Sequence, residues 1–85
     1  MDTKIEIGRV YVTAGGWQAL VIYKNPSGSF KAAHMRPSKD EVEYWDHNEQ
    51  GMALEGGVPA KSKRMNFDLE VPLPHDTVFH EPVPS

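Results

Sequence analysis

Four histidines carry most of the chemistry open to this chain of 85 residues, because it has no cysteine to serve as nucleophile, thiolate ligand or disulfide partner. A metal-dependent hydrolase would need several of them, or a pair with carboxylates, converging on one ion. His75-Asp76 and His80-Glu81 come nearest, since a C-terminal segment folded back on the domain would let the two pairs chelate a divalent cation. Their spacing fits no helical face and sends the imidazoles to opposite sides of an ideal strand, so both are expected to be solvated tail residues. His47 stands beside Asp46 like an acid–base dyad, but strand neighbours point to opposite faces and a turn is the expected place for it. His34 alternates with Phe30 and Ala32 and is expected to be a hydrogen-bonded histidine on a partly apolar strand face.

Aromatic and cationic residues supply a second kind of chemistry, recognition. Trp17, Tyr23, Phe30, Tyr44 and Trp45 are many large rings for a small chain, and some of them must fill the core. If two or three instead line one face beside Lys31, Arg36 or Lys63, they form a groove for a protein segment or a stacking platform for single-stranded nucleic acid. Lys31 and Arg36 in one positive block, Lys39 just beyond its end, and Lys61, Lys63 and Arg64 in another are the cations such a platform would use. There is no nucleophile elbow, phosphate-binding loop, dinucleotide fingerprint or HExxH metal motif, so no residue is assigned a catalytic role and no cofactor is expected.

Composition narrows the partners. The net charge of −3 argues against broad attraction to nucleic acid or to an anionic membrane, both of which need a basic face. Charge is nevertheless blocky: positive over residues 1–38, negative over 39–55, positive over 56–64 and negative again over 65–85. No stretch approaches the ~20 apolar residues of a membrane helix, and MDTKIEIG lacks the basic start and apolar run of a signal peptide. A cytoplasmic protein is expected.

The elements that would position these residues are short strands. Val10 and Val12 alternate with Arg9, Tyr11 and Thr13; Ala14-Gly15-Gly16 allows a tight turn into Trp17–Lys24. That second run is apolar on both faces and reads as a central strand. Asn25-Pro26-Ser27-Gly28 is a turn, and Phe30–Met35 is a third strand completing an antiparallel meander. Residues 38–51 read two ways. Ser38 with Glu41 resembles a capping box before a short helix at 39–50, whereas Glu41-Val42-Glu43-Tyr44 alternates like an edge strand leading through Asp46–Gly51 into a short strand at Met52–Leu54. The hairpin is the favoured reading. Gly56-Gly57 and Pro59 are read as structure breakers, and Met65, Phe67, Leu69 and Val71 alternate with polar residues as one last strand.

The fold class this implies is all-β: five or six antiparallel strands in a small, strongly bent sheet or a barrel of the SH3-like or OB-like kind. Residues 1–71 form one domain and the Pro-rich segment 72–85 an extended tail. The succession Ile7–Thr13, Gly15-Gly16-Trp17-x-Ala19-x-Val21, Phe30-x-x-x-His34, Asp46-His47-x-x-x-Gly51 and Phe67-Asp68-Leu69 resembles short proteins of bacterial phages and other mobile elements. That resemblance implies a mobile-element origin and a compact β fold, and it supplies no catalytic residues.

A non-enzymatic interaction module is therefore the leading functional expectation, presenting Trp45, Tyr44 and Trp17 with Lys31, Arg36, Lys63 and Arg64 to a protein partner or to a second copy of the chain. So small a core makes self-association an economical source of further burial. A nucleic-acid-binding barrel is the alternative, and a metal-dependent hydrolase built on His34, His47, His75 and His80 a distant third.

Overall fold

Period-two alternation from Val10 onward produces the meander the sequence implies. The computed structural model describes residues 5–36, 42–59 and 66–79. Strands β1 (Val10–Thr13), β2 (Gln18–Lys24), β3 (Phe30–His34), β4 (Glu43–His47) and β7 (Leu69–Pro72) form one antiparallel sheet in the order β4-β3-β2-β1-β7. β2 is its central strand, as its two apolar faces require. A small hairpin, β5 (Leu54–Glu55) and β6 (Val58–Pro59), turns at Gly56-Gly57, both at positive φ. These glycines close a two-residue hairpin of the kind such turns favour, where the sequence reads as a break.

Cross-strand pairing sorts side chains onto two faces. Tyr11 opposes Ala19, Ala19 opposes His34, Val21 opposes Ala32, and Ala32 opposes Trp45. This is the core face, and Ile5, Tyr11, Ala19, Val21, Phe30, Ala32 and Leu69 form its buried cluster. In β1, then, Tyr11 and Thr13 point into this cluster, while Val10, on the opposite face, is buried as well. Tyr11 brings its hydroxyl into the core by accepting the Glu6 N–H at 2.9 Å.

Two bulges correct the sequence reading further. Val21 pairs with Ala32 but Tyr23 pairs with Lys31, which leaves Ile22 as an extra residue and turns Tyr23 to the outer face. In β7, Leu69 pairs with Thr13 and Val71 with Val12, so Glu70 is the extra residue. Strict alternation would hold Leu69 and Val71 together; the bulge buries the first and leaves the second 54% exposed. The last strand is also shorter than the pattern implies, because Asn66 and Phe67 form a 3-10 turn; Met65 lies outside the described residues.

The ambiguous stretch resolves as the hairpin. Glu43–His47 is extended and pairs with all of β3, and an isolated bridge from His47 to Ala53 leads into β5. A helix at 39–50 is excluded over 43–47, where the ladder to β3 claims the backbone; residues 39–41 lie outside the described set.

The two ends of the sheet are tied together outside the strand ladders. Trp45 of β4 stacks on Phe67 at 4.4 Å. The Leu69 N–H donates to Gly51 O at 2.8 Å, and the Ala53 N–H donates to Asp68 Oδ1 at 2.7 Å. This seam joins β4 to β7 through a turn and side chains, since β4 and β7 remain the two ends of the strand order. Past Pro72 the chain stays on the domain: Leu73 N–H donates to Val10 O at 2.9 Å, and Arg9 Nε donates to Leu73 O at 2.9 Å.

Candidate functional site

His34 closes β3 and His47 closes β4, both on the core face and both wholly buried. The ladder sets them apart, because His34 opposes Glu43 and His47 opposes Phe30. Ala32 lies between them on the core face, and so small a side chain leaves room for the rings to lean together. Their Nε2 atoms are 2.8 Å apart.

The ends of this contact fix its protons. Trp17 Nε1–H donates to His34 Nδ1 at 2.9 Å, and His47 Nδ1 lies 3.0 Å from Gly51 O. An indole N–H only donates and a carbonyl only accepts. His34 therefore keeps its proton on Nε2 and gives it to His47 Nε2, while His47 keeps its own on Nδ1 and gives it to Gly51 O. Every imidazole nitrogen is used once, and both rings are neutral.

Electrostatics enforce that state. Burial pushes His34 down to about 3, helped by the charges of His47 and Arg36. Burial likewise pushes His47 down to about 4, against the opposing pull of its bond to Gly51 and of the Asp46 charge. The sequence placed His47 in a turn; its place at the end of β4 comes from the strand running farther than the Asp46–Gly51 polar run implies. Asp46 itself points away to Lys31 and Asn25, as neighbours on a strand must. A pair with no unoccupied nitrogen and no exposed surface is built to hold strands together.

Phe67 completes the site, and sequence reasoning assigned it only to a strand. Its ring packs edge-on against Trp17 at 5.2 Å and His34 at 5.1 Å, and stacks on Trp45. The Arg36 guanidinium lies 5.3 Å from the ring centroid, held by a 2.7 Å bond to Glu43. The aromatic platform foreseen for a ligand is thus filled by the chain's own phenylalanine.

The expected recognition residues are consequently divided. Trp17, Trp45 and Arg36 surround Phe67 on the core face. Tyr44, 61% exposed, and Lys31, bound to Asp46 at 3.0 Å, lie on the outer face. Lys63, Arg64 and His80 lie outside the described residues. His75 meets Glu6 at 2.9 Å on the surface, whereas His34 and His47 are buried. Among the described residues no three His, Cys, Asp or Glu side chains gather as a metal site.

The outer face is apolar along its middle. Val10, Leu20, Ala33 and Tyr44 oppose one another in one row across four strands, with Val10 and Ala33 buried and Tyr44 exposed, and Val12 pairs with Val71 beside them. The next row holds Tyr23, Lys31 and Asp46. A surface cleft of about 380 Å³ lies elsewhere, between Ser27–Ser29 and Asn48-Glu49, and contains none of the expected site residues. Among the described residues no helix is long and apolar enough to cross a membrane. Compared with protein-family models, curated proteins and solved structures, the chain matches none.

Proposed function

We propose that this chain is a non-enzymatic interaction module of mobile-element origin whose outer sheet face docks a second copy of itself. The observation that carries the reading is the division of the site: groups able to do chemistry are spent inside, while Tyr44, Val71 and Tyr23 stand 61%, 54% and 49% exposed on one face. Large apolar side chains left in water on one face mark an interaction surface on a small domain. Its charges suit a like copy, because Lys31 and Asp46 neutralise each other within the face. A specific interface takes roughly a tenth of a small protein's surface, an area that one side of a five-stranded sheet supplies. Self-association also answers the marginal burial of so short a chain. A cytoplasmic site of action belongs to the same proposal, since a cysteine-free chain needs no oxidising compartment. The mobile-element origin rests on the Gly15-Gly16-Trp17 resemblance.

The nucleic-acid alternative is less well supported. Lys31 and Arg36 are engaged by Asp46 and Glu43, and Trp17 and Trp45 turn toward Phe67. Sedimentation equilibrium tests the main reading: the wild-type chain should approach the mass of two copies as concentration rises, and Tyr44→Glu should remain a folded monomer. A wild-type chain that stays monomeric throughout would overturn it.

A further inference from the structure

The buried imidazole pair is poised between two partners that cannot change roles, which makes it sensitive to a single added proton. We propose that the His34–His47 pair is an acid latch on the seam between β4 and β7, shut when both rings are neutral and released when either takes up a proton. The geometry requires a lost bond in each case. A proton on His34 Nδ1 displaces the Trp17 indole N–H from its acceptor, 2.9 Å away. A proton on His47 Nε2 sets two N–H groups against each other across 2.8 Å. All four ring nitrogens are already engaged in these bonds, and each ring would carry a charge into a wholly buried position.

Release passes to the seam through one carbonyl. Gly51 O accepts from both His47 Nδ1 and the Leu69 N–H, at 3.0 and 2.8 Å. A His47 ring that swings toward water pulls on Gly51, and Gly51 is the backbone tie between the β4 turn and β7. Phe67 lies against His34 and against Trp45 across the same seam. The charged groups around the pair do not compensate an added proton. Arg36, beyond the end of β3, repels it. Glu43 is taken by Arg36, Asp46 by Lys31 and Asn25, and Asp68 by the Ala53 N–H. Asp46 draws a proton toward His47 from the opposite face of β4, but burial outweighs it. Burial keeps both rings neutral near pH 7, so the latch is shut there.

Nitrogen-15 spectra of histidine-labelled wild-type protein, read beside amide hydrogen exchange as pH is lowered, test this. Expected is imidazole protonation in step with loss of protection at the Leu69 and Ala53 amides, while Val21 in central β2 stays protected. The opening equilibrium should rise about tenfold per pH unit for each proton taken up. His34→Gln, which can accept from Trp17 but cannot be protonated, leaves His47 as the one titrating ring of the pair, so protection of the seam amides should fall only about tenfold per pH unit, a shallower loss than two protons give in the wild-type chain. Imidazoles that protonate only when Val21 also loses protection would overturn the latch, as would a seam that loosens while both rings remain neutral. The wild-type measurement decides the matter even if the variant fails to fold.

Discussion

His34 and His47 meet nitrogen to nitrogen at 2.8 Å although neither is the other's partner in the β3–β4 ladder. The contact runs diagonally across the concave face, over Ala32, and depends on the sheet being bent. In a flat sheet the two rings would stand apart above separate rungs. The hydrogen-bonded line from Trp17 to Gly51 is thus a consequence of curvature and also a restraint that preserves it, since it ties β2, β3, β4 and, through Gly51, β7.

Trp17→Phe removes the donor at one end of that line while keeping most of the ring that packs on Phe67. His34 Nδ1 is then a buried acceptor without a partner, which costs about 1–3 kcal/mol. Urea denaturation should report a lower midpoint with an unchanged slope. Losing the indole bond, which favours neutral His34, should also raise the pKa of His34, measurable by NMR titration.

Stability should depend on pH well above the carboxylate range. Folded, His34 and His47 are held at about 3 and about 4, against an ordinary histidine value of 6.5 in the unfolded chain. Between these limits the unfolded chain binds more protons, so stability rises with pH, is fully present above about 6.5 and is lost as pH falls toward 4. The slope approaches about 1.4 kcal/mol per pH unit for each histidine. Glu6 and Asp46 act in the same direction but only lower. Arg9 and His75 hold Glu6 below its ordinary 4.5, and for Asp46 bonds from Lys31 and Asn25 outweigh burial and hold it below 3.8. Chemical denaturation at pH 7 and pH 5 isolates the histidine contribution; equal stabilities would contradict the buried neutral pair.

The meander was legible because Val10–His34 alternates and its turns carry Gly, Pro and Asn, signals that act over a few residues. The β4 hairpin was legible as the better of two readings, since Glu43–Tyr44 alternate and Asn48–Gly51 make a polar turn. Bulges at Ile22 and Glu70 were not, because one extra residue in a ladder leaves no mark on composition yet reverses every side chain beyond it. Val71, grouped with Leu69 by the alternation, was misplaced for that reason. The site was hidden more deeply: Trp17, His34, His47 and Phe67 come from four separate segments and meet only when the sheet curls. Phe67 carried no signal beyond an apolar position in an alternating run.

Gly51, whose carbonyl His47 grips, should tolerate replacement less well than the other glycines at positive φ. Its φ of +88° disfavours any side chain, and a Cβ there would stand 2.8 Å from Leu69 O. Gly28, at φ +96°, has nothing within 4 Å of the same position. Gly28→Ala should therefore cost only the backbone term, about 1–2 kcal/mol. Gly51→Ala should cost more, because it also pushes β7 away from the turn that His47 grips. Thermal denaturation of the two variants side by side measures the difference, and equal losses would mean that the Gly51–Leu69 contact yields freely.

Tyr44 and Trp45 are neighbours on β4 that face opposite ways, so one pair of substitutions separates docking from folding. Trp45 stacks on Phe67 at 4.4 Å in the seam. Removing it forfeits aromatic packing and leaves a gap, and a fully buried ring would cost about 3–5 kcal/mol; half-buried Trp45 should lose somewhat less. Tyr44 projects from the outer face beyond Ala33, and Tyr44→Ala removes surface that the isolated chain leaves largely in water. Monomer stability should then change by less than about 0.5 kcal/mol, while the tendency to pair falls sharply. Circular dichroism melts and sedimentation on the same two variants give the full comparison. If Tyr44→Ala unfolds the chain, or if it leaves the association constant unchanged, the outer face is not the docking surface; if Trp45→Ala leaves the melt untouched, the Trp45–Phe67 stack does not hold the seam.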